Sequence, residues 1–250
     1  MQEVYKLQIK PRAIEVTETE DVTFLALADY LMQAAYEHAF DLGVSFQQTF
    51  EQNLTWFLSR NYIEVHRYPK LNEKLTVRTW IANSKTKHTL RDFQMLTESG
   101  EVVCSASTSW LLFNFRKRRI VDHMTFFADK PVREERAVDY NYPKIPLPEK
   151  INETAEVQVR RTDLDLNRHV NNRVYLWWIL ETIPEKQLKN YQINKVEIGF
   201  KDQAFYKDRI LIESEIKKDK SKDEIMVLTQ ITNKKSGKLL TKMVTYWIKK

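Results

Sequence analysis

Two stretches of the chain share a pattern, SGEVVCSASTSW at 99–110 and SGKLLTKMVTYW at 236–247. Ser-Gly opens both, Trp closes both, Thr108 matches Thr245, and no gap is needed. A chain that repeats itself must build one supersecondary unit twice, which limits the fold more than composition does. Upstream, KLTVRTWI (74–81) resembles RILIESEI (209–216). Both alternate with the period of two that a half-buried strand shows. NYIEVH (61–66) and KVEIGF (195–200) read as one further strand before each. Earlier still, DYLMQAAYEHAF (29–40) and VYLWWILETI (174–183) read as helices, each with Tyr-Leu at its start. The order is a helix followed by antiparallel strands, twice over.

Between the copies, residues 119–150 hold four of the seven prolines and show neither periodicity. Proline fixes φ and cannot donate to a sheet ladder, so this segment is expected to be an extended linker. It separates an N-terminal unit, 1–118, from a C-terminal unit, 151–250. VYLWWIL carries no polar stripe, and a helix apolar all round is a buried one. A short buried helix followed by a twisted antiparallel sheet suggests a sheet wrapped around its helix, the hotdog arrangement. The expectation is therefore α+β, a tandem double hotdog. Two such units are expected to pack side by side, join their sheets and leave an elongated apolar groove near their interface.

With 42 % hydrophobic residues in 250, there is material for two cores of roughly 100–150 residues each. No apolar run approaches the roughly 20 residues that span a bilayer, and MQEVYKLQIKPRAIEVTETED lacks the apolar centre of a signal peptide. Cys104 is the only cysteine, so no disulfide framework or cysteine zinc site arises within one chain. A reduced, cytoplasmic setting is the simplest reading. The net charge of +6 is concentrated in RKRR (116–119), KKDKSKD (217–223), NKKSGK (233–238) and the terminal Lys pair. Such an excess suits an acidic partner, although charge runs are ordinarily solvated loops and strand ends. No run interleaves bases with aromatics as an RNA-binding sheet does, which argues against nucleic acid.

The densest polar cluster is DLDLNRHVNN (163–172), set against the Trp-rich helix. Asp163, Asp165 and Asn167 mimic the start of a calcium loop, but Arg168 and Val174 stand where an EF-hand needs Gly and Glu. No HxxxH or HxH pairing accompanies His169, so zinc is not expected, and no cofactor is. With Gly only at 43, 100, 199 and 237, there is no GxSxG elbow, phosphate loop or dinucleotide fingerprint. Cys104 lies mid-strand and reads as an inert packed thiol. There remain Asp165, Asn167 and His169, alternate residues that an extended segment would send to one side. Asn171 or Asn172 can cap the following helix. The three alternate residues are either a satisfied polar turn or a water-activating set. In the second case the imidazole takes a proton near neutral pH, a carboxylate orients it, and an amide holds the carbonyl oxygen or the water.

TDLDLNRHVNNRVYLWWILETIP (162–184) closely resembles the signature of the acyl–acyl-carrier-protein thioesterases of plants and bacteria. LSRNYIEVHRYPKLNEKLTVRTW (58–80) resembles the first-repeat segment of the same family, including its Arg-Tyr-Pro. The resemblance implies a double hotdog that hydrolyses the thioester between a fatty acyl chain and the phosphopantetheine arm of acyl carrier protein. It places the catalytic Asp, Asn and His on Asp165, Asn167 and His169, and the acyl tail mainly in the first copy with its helix 24–42. The carrier is acidic, which would give the basic excess a purpose. The family's second-repeat Glu falls on Gln203 in VEIGFKDQAFYKDRIL (196–211). Some members carry Cys after that Glu; Ala204 stands here and argues against a thiol nucleophile. Gln keeps the reach of Glu without its charge, so it can position a water but cannot act as a base. The alternatives are a non-catalytic acyl-binding hotdog protein, supported by Gln203, and a thioesterase acting on acyl-coenzyme A. The partner set is then the acylated carrier protein, with no nucleic acid, no membrane span, and a homodimer left open.

Overall fold

The alternating stretches form strands and the helical stretches form helices in the computed structural model of the chain, which describes residues 3–84, 86–123, 127, 129–219 and 223–250. The fold divides into two units, Met1–Asn141 and Tyr142–Lys250. In the first, β1 (Tyr5–Ile9), α1 (Phe24–Asp41) and α2 (Phe46–Phe50) are followed by β2 (Leu54–Val65), β3 (Leu75–Ala82), β4 (Thr89–Thr97), β5 (Val102–Asn114) and β6 (Arg119–Val121). The sheet runs β1-β3-β4-β5-β2 with every pair antiparallel, and β6 adds to the end of β5. In the second, β7 (Glu153–Gln158), α3 (Asn172–Leu180), α4 (Glu185–Asn190), β8 (Tyr191–Phe200), β9 (Arg209–Asp219), β10 (Glu224–Asn233) and β11 (Leu239–Lys249) follow in turn. Its order is β7-β9-β10-β11-β8, again antiparallel. One helix-and-sheet design is thus built twice.

Local chemistry sets the helix limits. Thr23 accepts the Ala26 N–H and caps α1, whose buried face includes Leu27, Leu31, Ala34 and Ala35. Small residues there let the helix lie close on β3 and β4. Gly43 ends it in the left-handed region at φ +72°, donating back to Phe40 while Val44 donates to Ala39. The Trp-rich helix departs from expectation at both ends of the argument. It runs from 172 to 180 rather than to 183: beyond Leu180 the backbone bonds tighten to three residues back, Glu181 to Trp178, Thr182 to Ile179 and Ile183 to Leu180, and Pro184 disfavours helix at Ile183. Nor is it buried all round: Trp177 is 50 % exposed, with the Arg173 guanidinium one turn back at 5.7 Å from its ring.

The proline-containing segment is not a free tether. Its first residues, 119–121, continue the sheet as β6. Further on, Trp80 Nε1 donates to the Glu135 carbonyl at 2.9 Å and Tyr140 stacks on Tyr62. Asp92 is fully buried and accepts from Arg136 Nε and from the Ala137 N–H, both at 2.8 Å, and from Ser107 Oγ at 2.5 Å. A buried carboxylate is tolerable only when satisfied in this way. Beyond residue 142, Ile145 packs with Leu228 and Val244 in the second unit, and Lys242 Nζ donates to its carbonyl. Each half of the segment is strapped to the sheet of its own unit.

Candidate active site

The polar cluster is a tight turn, not an extended segment. The chain enters through a single 3-10 turn, Arg161–Asp163, closed by the Arg160 N–H donating to Asp163 Oδ2 at 2.7 Å. Leu164 and Val170 form an isolated antiparallel bridge. Within it the Asp165 N–H donates to the His169 carbonyl at 2.8 Å and the Arg168 N–H to the Asp165 carbonyl at 3.0 Å. Arg168 takes the left-handed conformation, φ +62°, that the reversal requires. The Asp165 carboxylate drives the turn, since its Oδ1 accepts the Asn167 N–H at 2.7 Å and the His169 N–H at 3.3 Å. Short acidic side chains compete with strand ladders for backbone donors in this way. Asp165, Asn167 and His169 therefore do not alternate along an extended segment; the backbones of Asn167 and His169 are instead tied to the Asp165 carboxylate by the turn. Asn171 is the residue that caps α3, accepting the Arg173 N–H at 3.0 Å, while Asn172 is the first residue of the helix.

A second turn meets the first. Asp202 Oδ1 accepts the Gln203 N–H at 2.8 Å, and Asp208 Oδ2 accepts the Phe205 N–H at 2.9 Å. Ala204 sits fully buried between them. Its carbonyl accepts the Val170 N–H at 3.0 Å, and its N–H meets the hydroxyl of buried Tyr175 on α3. Burial, with lesser contributions from Asp202, Asp208 and Asp165, pushes the Tyr175 phenol well above its usual range, so it stays a neutral anchor. Val170, Val174, Trp178, Ile210 and Ile212 form the core below. The backbone carrying Gln203 is thus fixed against the backbone carrying His169.

Across this junction the His169 and Phe205 rings stand edge to face, centroids 5.0 Å apart and planes at 88°. His169 and Gln203 are half-buried and Asn167 is exposed. None of these three side chains has a hydrogen-bond partner among the described residues, which leaves an imidazole and two amides to bind water or a polarised carbonyl. Two cations flank Tyr206 beside the junction: the Arg161 guanidinium lies 4.5 Å and Lys207 Nζ 5.4 Å from the centroid of its ring. Among the described residues no three His, Cys, Asp or Glu side chains are grouped as metal ligands.

The turn itself is duplicated, a repeat the strand comparison does not reach. Thr17, Glu20, Asp21 and Val22 precede Asp165, Arg168, His169 and Val170 by a constant 148 positions. Thr17 N–H donates to Asp21 O, Glu20 N–H to Thr17 O, and Val22 N–H to Pro69 O, with Glu20 at φ +64°. Thr23 caps α1 where Asn171 caps α3. This register puts Leu27, not Tyr30, opposite Tyr175, so the shared Tyr-Leu is a coincidence three residues out. The second turn is duplicated as well: Lys70 N–H donates to Glu73 as Phe205 N–H does to Asp208. Carrying the 74–81 and 209–216 alignment a few residues upstream would have paired Lys70 with Phe205, and this was the available signal for Phe205.

Cys104 is fully buried, and burial, with a smaller push from Glu64, raises its thiol to about 12. Of the basic run, residues 116–118 lie in the β5–β6 turn and Arg119 opens β6, with the Lys117 N–H bound to Asn114 Oδ1. Of the second run, Lys217 pairs with Glu215 at 3.3 Å, while Lys220 and Lys222 lie outside the described residues.

Two sequence profiles of one family match the chain, the acyl-ACP thioesterase N-terminal domain over residues 2–125 and the C-terminal domain over 148–249. The oleoyl-acyl carrier protein thioesterase 2 of Arabidopsis thaliana is 26 % identical over 216 residues, 79 % of this chain and 59 % of the relative. The dodecanoyl-[acyl-carrier-protein] hydrolase of Cinnamomum camphora is 26 % identical over 220 residues, 79 % of this chain and 56 % of its own length. The chain therefore spans under two thirds of these chloroplastic relatives. Among solved structures, the 12:0-ACP thioesterase from Umbellularia californica superposes with a TM-score of 0.87 at 20 % identity, covering 99 % of this chain and 94 % of that one. An acyl-ACP thioesterase from Bacteroides thetaiotaomicron does so with a TM-score of 0.84 at 23 % identity, covering 98 % of each. The tandem double hotdog, α+β, is the shared fold.

Proposed function

The chain belongs to the acyl-ACP thioesterase family, and on that premise we propose that it hydrolyses the thioester of a fatty acyl chain on acyl carrier protein. His169 takes a proton from water, the water oxygen attacks the carbonyl carbon, the C–S bond breaks, and the proton passes to the departing thiolate. The products are a free fatty acid and the carrier's free thiol. Asn167 and Gln203 hold the carbonyl oxygen and the water by hydrogen bonds, an interaction worth most where charge develops. Asp165 acts through the turn that presents them.

The observation that carries this reading is the junction of the two turns. It sets an imidazole and an amide, neither hydrogen-bonded among the described residues, on backbones locked together at Val170 and Ala204. The carrier as partner draws support from the relatives' names, from the +6 charge, and from Arg161 and Lys207 beside the junction. No helix among the described residues is long and apolar enough to cross a membrane, and a cytoplasmic setting is part of the same proposal.

Thiol release from a series of acyl-carrier and acyl-coenzyme A thioesters tests it, with wild type beside His169→Ala. Turnover on carrier-bound substrate that falls at least a hundredfold in the variant supports the assignment. Turnover confined to coenzyme A esters moves the partner, and near-full turnover in the variant removes His169 as the base. Binding of acyl carrier without turnover by wild type would favour the non-catalytic reading, for which Gln203 in place of a carboxylate is the supporting feature.

A further inference from the structure

The two copies place a contact at the same point of the fold and fill it with different chemistry. In the first, Asp21 at the end of the turn is paired with Lys70 Nζ at 2.9 Å, and the same ammonium also donates to the Thr19 carbonyl at 3.1 Å. In the second, the positions matching Asp21 and Lys70 are His169 and Phe205, joined ring to ring. An ion pair locks the turn but commits the polar atoms at both ends. An edge-to-face ring contact holds a plane in one orientation through its C–H edge and π face, leaving both imidazole nitrogens unbonded.

We propose that Phe205 is the positioning residue for His169, the role that a carboxylate partner fills in many hydrolytic sites. Asp165 does not fill it here: no hydrogen bond joins its carboxylate to the imidazole, and its Oδ1 accepts the Asn167 and His169 backbone N–H groups. Phe205 is the aromatic ring that meets the imidazole, edge to face at 5.0 Å. Its own backbone is pinned at the N–H by Asp208 and next door at Ala204, so the ring starts from a fixed point. Phe205 is nonetheless 49 % exposed. A half-exposed large apolar side chain contributes little to a core, so the contact with the imidazole is the interaction its ring makes here. The same exposure means that its replacement leaves the fold intact.

The proposal rests on the reading of His169 as the water-activating group, and the test separates the two. Phe205→Leu keeps bulk and removes the ring, whereas Phe205→Tyr keeps the ring. The ring contact biases the imidazole orientation by about two- to tenfold, so Phe205→Leu is expected to lower kcat by that factor with KM unchanged. Phe205→Tyr should return kcat to within about twofold of wild type. Independently of turnover, the imidazole proton resonances of His169 should carry a ring-current shift in wild type and Phe205→Tyr that Phe205→Leu loses. Unchanged kcat in Phe205→Leu, failure of Phe205→Tyr to restore it, or no difference in the resonances would each overturn the positioning role. His169→Ala with near-full turnover would overturn the base assignment and with it the proposal; inactive His169→Ala with fully active Phe205→Leu would overturn the positioning role alone.

Discussion

Asp165 meets His169 through the backbone: its Oδ1 accepts the His169 N–H at 3.3 Å, and no hydrogen bond joins its carboxylate to the imidazole. The residue therefore shapes the loop that carries the base. Asp165→Asn retains an oxygen at Oδ1 and should keep the turn, with turnover within about threefold of wild type. Asp165→Ala removes the acceptor of two backbone bonds, each worth about 1 kcal/mol. It should lower stability by about 1–2 kcal/mol and turnover by more than tenfold. Chemical denaturation and steady-state rates of the two variants check this, and an Asn variant as slow as the Ala variant would show that the charge itself matters.

The same carboxylate explains why the site was only partly legible in the sequence. The repeat was legible because period-two alternation is local: 74–81 and 209–216 fold as β3 and β9 with Val77 and Ile212 inward. The residue types at 165, 167 and 169 also pointed to a polar site at a helix entrance. Their geometry did not, because DLDLN satisfies a strand pattern equally well. What decides is that Asp165 captures two donors and Arg168 accepts a left-handed φ, a choice made by side chain and backbone together. Phe205 was missed for another reason. It acts by contact across 36 positions of chain, and only the matching turns of the two copies reveal it.

Cys104 provides a control on the chemistry. Buried within β5 and raised to about 12, the thiol should not react with a thiol reagent in the native protein and should react at once in denaturant. Hydrolysis should survive prolonged exposure to the reagent. Rapid native labelling with parallel loss of turnover would reopen a thiol nucleophile.

Glu15 supplies a pH-dependent term in the first unit. Burial acts to raise its carboxyl, but hydrogen bonds from Arg12 and from the Tyr30 hydroxyl at 2.6 Å, with the Arg12 charge, prevail and hold it at about 2. A carboxyl depressed on folding contributes stability that is present above its unfolded pKa and is lost as pH falls toward the folded value. The contribution should therefore be complete near neutrality and fade from the ordinary carboxylate range down to about 2. Glu15→Gln should melt below wild type near neutrality, and the two should converge on acidification. A melting difference that stays constant down to the lowest accessible pH would count against the assignment.

Gln203 decides whether the site needs a second ionised group. Its backbone N–H is bound by Asp202, whose carboxyl that bond holds below its usual range, so an anion already adjoins the position. Asp202, Asp208 and Asp165 all act on the Tyr175 phenol from around the junction. A further carboxylate from Gln203→Glu would stand next to that of Asp202, where like charges repel. An amide can hold a water by hydrogen bonds without that penalty. Gln203→Glu is therefore expected to change turnover by less than tenfold, while Gln203→Ala, which loses the hydrogen bonds, should fall by tenfold or more. General acid–base assistance is typically worth about 10²–10⁴-fold, so the alternative is easily distinguished. A gain of a hundredfold in Gln203→Glu would mean that the natural sequence lacks its base, and would make an acyl-binding role the better account of this chain.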